Sequence, residues 1–447
     1  MKVYGVIGDP IEHSKSPQMQ NAALRNAGID AIYTKFHITD NKLDEAIQGF
    51  RRLRIAGFNV TVPHKITVMK HLDNVDELAQ DIGAVNTVHN DNGKLIGYNT
   101  DGYGALESIK KVTTTEGKGV CVLGAGGAAR AIAFTLASES KPKEVYILNR
   151  TKEKAEKLAK EIAEKTGVRI TGAGLDETDI LERTDILINT TSVGMHPKTG
   201  ESPLPKEALH SEMVVFDIVY NPLKTRLLMD AEEKGCRIIT GENMLIMQGA
   251  KAFEIWTGGK PDLDSMRFGF GNKEQTKNNI ALLGFMGTGK TTVGKLLAKK
   301  TGKEFVDLDD EIEKMAEMKI SKIFEKYGEE RFRILEREVV GISSKKNNSV
   351  LSCGGGVVLN IINIARLNES CQVFLLTATP QEIMKRLHNV KNRPLLGESE
   401  EEKEKKIGEI MEVRKIYYAA SGAIGINTTG LQPKEVAEQI LQRLKNE

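Results

Sequence analysis

The chain has 447 residues, 40% hydrophobic and 28% charged, the composition of a globular protein with room for two to four domains. Lys and Arg total 63 against 61 Asp and Glu, with no basic block, so nothing points to a nucleic-acid partner. No apolar run nears the ~20 residues of a membrane span, MKVYGVIGDP lacks a signal-peptide core, and Cys121, Cys236, Cys353 and Cys371 fit no CxxC or zinc spacing, so a cytoplasmic protein with incidental thiols is expected.

From the N-terminus, KVYGVIG, AIYTKFHI and GFNVTVP read as strands. PQMQNAALRNAG and KLDEAIQGFRRLRIAG read as helices, with apolar residues three and four apart and glycine at their ends. Alternation resumes at KGVCVLGAGGAARAIAFTLAS and runs on through KEVYILNR, DILINTT, MVVFDIVY and RIITG. Such alternation predicts an α/β protein, with parallel sheets wrapped by helices. It stops at GNKEQTKNN, Gly271 to Asn279, which has no aliphatic or aromatic side chain, and restarts at IALLGFMGTGKTT, EFVDLDDEI, SVLSCGGGVV, CQVFLLTAT and AIGINTT. The expected organisation is an open α/β substrate domain over 1–100 completed by 238–268, and a Rossmann-type nucleotide domain over 101–237. A linker over 269–279 and a P-loop α/β domain over 280–447 follow.

In VCVLGAGGAAR, the residues Gly124, Ala125, Gly126, Gly127 and Ala128 lie between a strand and a helix. Glycines there let backbone approach a pyrophosphate, and the helix amides face its charge. The next strand ends in Asn149, Arg150 and Thr151, where an NAD site usually has Asp or Glu. A cation between two polar side chains suits a 2′-phosphate, so NADP is expected.

Three strand ends are unusually polar. EHSKSP offers Ser14 and Ser16, FNVTVPHK offers Asn59, Thr61 and Lys65, and GAVNTVHNDNGKLIGYNTDGYG offers Asn86, Asn99, Thr100 and Asp101. Singly these read as caps and turns. Together they mark the strand C-termini where open α/β sheets bind ligands.

SKSP, NVTVPHK, GAVNT, NTDGYG, GAGGAAR, NRT, NTTSVGM, DIVYNP and GENMLIMQGA, in that order across residues 1 to about 268, resemble shikimate dehydrogenase. The resemblance implies NADPH-dependent reduction of 3-dehydroshikimate to shikimate. It implies that Ser14, Ser16, Asn59, Thr61, Asn86, Tyr220 and Gln248 hold the substrate, and that Lys65 and Asp101 are the catalytic pair. A lysine donates a proton to a carbonyl oxygen that receives hydride on its carbon, and a carboxylate orients the lysine. Gln20 departs from the family, where His is common, and little consequence is expected.

GFMGTGKT fits G-x-x-x-x-G-K-[ST] from Gly284 to Thr291 after a strand and before a helix. The backbone around Gly287, Thr288 and Gly289 cradles phosphate, Lys290 reaches the β/γ oxygens, Thr291 can ligate magnesium and Thr292 completes the ATP-binding set. FVDLDDEI adds Asp307 and Asp309, ERFRILE adds Arg333, LSCGGGVV adds Gly354, Gly355 and Gly356, NRPLL adds Arg393, and EVRKIYYAA adds Arg414. This set resembles shikimate kinase over about 279–447. The resemblance places Asp309 on the shikimate hydroxyls as base, Asp307 near magnesium, and Arg333, Arg414 and the Gly354–Gly356 backbone on the carboxylate. It places Arg393 on a lid over the phosphates and Arg386 beside the adenine. The implied cofactors are NADP, ATP and Mg, and the partners are small molecules, with monomer and dimer both open. A quinate-preferring dehydrogenase, a kinase for another small alcohol and a metabolite-sensing regulator are the alternatives. A flexible nine-residue linker spans about 15–18 Å, so two independent sites joined by free diffusion are expected.

Overall fold

A computed structural model describes residues 1–271, 277–387 and 400–445, with three sheets following one another along the chain. The first contains β1 (Lys2–Gly8), β2 (Ala31–His37), β3 (Gly57–Val60), β4 (Asn74–Val75), β5 (Thr87–Asp91) and β6 (Lys94–Tyr98), in the order β2-β1-β3-β5-β6-β4. β1 runs parallel to β2 and β3, but β5 is antiparallel to both β3 and β6. The sheet is therefore mixed, not parallel throughout. The β5/β6 pair has a local cause: Asn92 and Gly93 both take positive φ, 52° and 101°, the backbone of a two-residue hairpin turn.

The second sheet is wholly parallel. It holds β7 (Gly119–Leu123), β8 (Glu144–Asn149), β9 (Ile170–Gly174), β10 (Ile186–Asn189), β11 (Val214–Asp217) and β12 (Arg237–Ile239), ordered β12-β11-β10-β7-β8-β9. The order reverses at β7, so the loop after β7 opens into a crevice, as in dinucleotide-binding sheets. The third sheet is also parallel, with β13 (Asn279–Gly284), β14 (Glu304–Asp307), β15 (Ser349–Ser352), β16 (Cys371–Thr377) and β17 (Ile424–Asn427) ordered β14-β15-β13-β16-β17.

The chain returns to its first sheet after β12. Helices Gly241–Thr257 and Leu263–Gly271 pack on the helix Ser16–Asn26, burying Phe253, Trp256 and Met266 with Tyr4 and Met19. Burial of Met266 and Phe270 carries the second of these helices to Gly271, so 269–271 are helical, not linker. At the other end Asn279 already belongs to β13, its buried amide oxygen accepting from Ser349 N at 2.9 Å.

The two halves are not merely tethered. One apolar core runs from Ile38, Phe50 and Phe58 to Leu367, Val373 and Ala420. The helices Leu43–Leu53 and Glu400–Ala420 lie against each other, and the helix Ile361–Ser370 packs on β2. The helix Leu43–Leu53 turns Leu43, Ile47, Phe50 and Leu53 inward at helical spacing. All four cysteines are buried and free, and burial pushes the Cys371 thiol up to about 11. No helix among the described residues is long and apolar enough to cross a membrane.

Candidate active sites

Polar residues from three strand ends of the first body form one connected network. Lys65, in the turn after β3, donates from Nζ to Asp101 Oδ2 at 2.6 Å. Asp101 opens the helix Asp101–Lys110, where the helix dipole favours a carboxylate. Asn86 Nδ2 donates to Asp101 Oδ1 at 2.7 Å, and Asn86 Oδ1 accepts from Thr100 N at 2.8 Å. Asn59 Nδ2 reaches the Asn86 carbonyl at 3.1 Å and Thr87 Oγ1 at 3.0 Å. Thr100 Oγ1 lies 3.4 Å from Gln248 Oε1, which brings the returning helix Gly241–Thr257 into the network. Ser14 Oγ accepts from Ser16 N at 3.4 Å at the start of the helix Ser16–Asn26, and Thr61 is half-buried just past β3. Tyr220 packs edge-on against Phe270 with centroids 6.3 Å apart, and burial raises its phenol.

Two further buried residues sit in hydrogen-bond networks, Tyr33 outside the quoted motifs and Asp217 within DIVYNP. Tyr33 on β2 donates to Asn59 Oδ1 at 2.7 Å and is buried enough to hold its phenol well above the usual value. Asp217, closing β11, accepts from Thr225 Oγ1 at 2.6 Å, Val219 N at 3.0 Å and Asn189 Nδ2 at 3.1 Å; burial outweighs these bonds and raises its carboxyl. A third, Gln20, is better connected than its sequence position suggests. It is buried, and its Nε2 holds the Gly249 carbonyl at 2.9 Å, next to Gln248. The expectation that its identity matters little overlooks this link to the network.

The dinucleotide loop follows β7. Gly124 has φ 109°, and the Cβ positions of Gly126 and Gly127 face open space. Gly127 starts the helix Gly127–Glu139, so with Ala125 and Ala128 the loop presents free backbone at a helix N-terminus, which fits a pyrophosphate. Asn149 Nδ2 bonds the Thr151 carbonyl at 2.9 Å and fixes the turn after β8. Arg150 between them is exposed and makes no ion pair among the described residues.

In the second half, one cavity of about 830 Å³ contains the P-loop and the expected acceptor residues. Gly287, Thr288, Gly289, Lys290, Thr291 and Thr292 form one wall. Lys290 Nζ donates to the carbonyls of Gly284 and Phe285 at 2.8 and 2.9 Å. Thr291 Oγ1 donates to Asp307 Oδ2 at 3.0 Å and lies 3.4 Å from Ser352 Oγ. This oxygen-only set, with few protein donors, fits magnesium, which takes its other ligands from phosphate and water. Asp309 N caps onto Asp307 Oδ1 at 3.1 Å, so the two carboxylates start the helix Leu308–Ala316 side by side.

On the opposite wall the Arg333 guanidinium occupies the space over Gly356, and Arg414 Nη1 donates to the Gly355 carbonyl at 3.0 Å. Gly354 brings its Cα beside Asp309, whose Oδ1 is 2.7 Å from where a Cβ would stand. Arg333 also pairs with Glu329 at 2.9 Å and Glu336 at 3.0 Å. Glu336, which ends the ERFRILE motif, is a buried carboxylate whose pKa burial raises despite the nearby Arg333. Arg386 donates to Thr428 O at 2.7 Å and to Gly287 O at 3.4 Å, at the edge of the P-loop. Arg393 lies outside the described residues.

Comparison with known proteins agrees with this division. Family models match residues 6–88 (shikimate dehydrogenase substrate binding domain), 107–222 (shikimate / quinate 5-dehydrogenase), 241–267 (shikimate 5'-dehydrogenase C-terminal domain) and 286–445 (shikimate kinase). The shikimate dehydrogenase (NADP(+)) of Pyrococcus abyssi is 51% identical over 268 residues, 60% of this chain and 96% of that protein. That of Methanocaldococcus jannaschii is 48% identical over 272 residues, 60% and 95% of the two chains. The crystal structure of shikimate 5-dehydrogenase from Thermus thermophilus in complex with NADP(H) and shikimate matches with TM-score 0.55 and 39% identity, over 60% of this chain and 98% of that one. The chain thus belongs to the shikimate dehydrogenase family over its first three fifths and carries a shikimate kinase domain after it, making it a bifunctional shikimate-pathway fusion.

Proposed function

We propose that residues up to Gly271 reduce 3-dehydroshikimate to shikimate with NADPH, and that residues from Asn279 onward phosphorylate the 3-hydroxyl of shikimate from MgATP. The observation that carries the reading is the second cavity. A phosphate loop, a carboxylate at Asp309 and two guanidinium groups at Arg333 and Arg414 share one space of about 830 Å³, sized for a nucleotide and a small hydroxy acid together. The first site supplies the matching product.

In the reductase site, Ser14, Ser16, Asn59, Thr61 and Gln248 bind the carboxylate and hydroxyls of the substrate, and Tyr220 closes the cleft. Gly124–Ala128 would hold the pyrophosphate of NADPH and Asn149, Arg150 and Thr151 its 2′-phosphate; when bound, the cofactor would supply the hydride. Lys65 donates a proton to the carbonyl oxygen as negative charge develops there. Asp101 holds Lys65 in place at 2.6 Å, and Asn86 holds Asp101 at 2.7 Å.

In the kinase site, Arg333 and Arg414 orient the acceptor carboxylate, and forked guanidinium groups suit that geometry. Asp309 accepts the proton of the attacking hydroxyl. Thr291 and Asp307 would hold magnesium and Lys290 would offset charge on the phosphoryl oxygens, with ATP supplying the phosphoryl group when bound. The setting proposed for the enzyme is the cytoplasm, where its four thiols stay reduced.

The test is a coupled reaction on the purified chain with 3-dehydroshikimate, NADPH, ATP and magnesium, following NADPH absorbance and product mass. NADPH loss with appearance of shikimate 3-phosphate is expected. Accumulation of shikimate alone would overturn the kinase assignment, and unchanged NADPH the reductase assignment.

A further inference from the structure

The helix Glu400–Ala420 serves both halves of the chain. Arg414 and Tyr418, four residues apart, share one face, and both approach the Gly355 carbonyl, at 3.0 and 3.5 Å. Arg414 also lies over the Phe285 ring of the P-loop, 5.5 Å from its centroid. Lys415, Ile416 and Ala420 turn instead to the reductase helix Leu43–Leu53. Lys415 Nζ pairs with Glu45 Oε1 at 2.6 Å.

The two helices come nearest at Gly49, in the interior of Leu43–Leu53. Glycine is the poorest helix former after proline, and the three atoms nearest its Cβ position all belong to the kinase helix. A Cβ on Gly49 would land on the Ile416 carbonyl and stand 2.6 Å from the Ala420 Cβ. Gly422, just beyond the helix at φ 67°, meets the reductase in the same way, its Cβ position 2.7 Å from His37 N and 2.8 Å from Phe36 Cα. At two points, then, backbone meets backbone with no side chain between.

We propose that the reductase helix Leu43–Leu53 is a positioning element of the kinase: by seating Glu400–Ala420 it sets Arg414 and Tyr418 against the acceptor loop. The inference rests on the proposed role of Arg414 in binding the acceptor carboxylate. Gly49 and Glu45 are then residues of the first enzyme that tune the second. Neither lines the phosphate-loop cavity.

The full chain carrying Gly49→Val tests this. The KM for shikimate in the kinase reaction should rise roughly ten- to hundredfold, since displacements of about 1 Å at a binding group cost that much. The KM for ATP should rise less than that for shikimate, because the helix meets the P-loop through the Phe285 ring and not through its phosphate-facing backbone, and the reductase kcat/KM should stay within about twofold. A folded reductase with wild-type kinase KM for shikimate would overturn the proposal, as would an equal rise in the KM for ATP. Should the variant lose both activities, Glu45→Lys and Lys415→Glu decide the question. Each alone should raise the shikimate KM roughly two- to fivefold, with recovery in the charge-swapped double variant; unchanged single variants overturn the proposal. Failure of the functional reading is distinct, because the wild-type chain itself would then not phosphorylate shikimate.

Discussion

Asn86 donates to one oxygen of Asp101 at 2.7 Å while the other takes Lys65 at 2.6 Å, so the Asp101 carboxylate is held from both sides. Replacing Lys65 with Met removes the proposed proton donor without adding a charge. Reductase kcat should fall by roughly two to four orders of magnitude, the usual contribution of a positioned acid. Asn86→Ala should cost less, on the order of tenfold, because Lys65 still anchors Asp101. Kinase rates of both variants should equal wild type, and steady-state kinetics of the two reactions on one preparation checks this.

Arg150 stands exposed beside the dinucleotide loop with no ion-pair partner among the described residues. Arg150→Ala should raise the KM for NADPH by roughly tenfold or more, the worth of a hydrogen bond to a charged group, and leave the KM for NADH nearly unchanged. An equal effect on both nucleotides would assign the 2′-phosphate contact to other residues.

Glu336 neutralises Arg333 from below, 3.0 Å away and almost wholly out of water. Glu336→Gln keeps the shape but leaves the guanidinium without its buried anion. The shikimate KM of the kinase should rise by about tenfold, with the KM for ATP moving little. Initial rates against each substrate separate the two effects.

Asp217 carries a carboxyl raised above the ordinary 3.8 by burial. Its contribution to stability is full below pH 3.8 and is lost as pH rises through the raised folded value. Asp217→Asn lacks this dependence, so the advantage of wild type over variant should shrink as pH rises from about 4. Hydrogen exchange of the β10 and β11 amides, measured across that range, reports the local opening free energy.

The nucleotide loops were legible because each depends on contiguous residues: glycines at fixed offsets between a strand and a helix. Short strand-end motifs such as NVTVPHK and NTDGYG were legible for the same reason. Tyr33 was not. Its strand AIYTKFH reads as ordinary core, and only the order β2-β1-β3 brings its hydroxyl to Asn59, 26 residues away. Glu336 lies on a helix rich in glutamate, and its burial alone distinguishes it. The Asn92-Gly93 hairpin does carry a sequence signal, Asn-Gly between two apolar runs, but the antiparallel β3/β5 pair that makes the sheet mixed depends on residues far apart in the chain. Gly49 carries no signal until a second helix is laid against it.

Trp256 donates its indole N–H to the Val88 carbonyl and stacks on Tyr4, closing the first body with a residue from the far end of the reductase. The whole dinucleotide domain is inserted between β6 and the returning helix. A ribosome adding about 5–20 residues per second therefore leaves the apolar face around Tyr4 and Met19 uncovered for on the order of ten seconds. During that interval the nascent chain has a finished strand order and an unfinished core. The inserted domain, continuous in sequence, can complete itself first, and the chain's only tryptophan is a natural reporter of when the body around it is sealed.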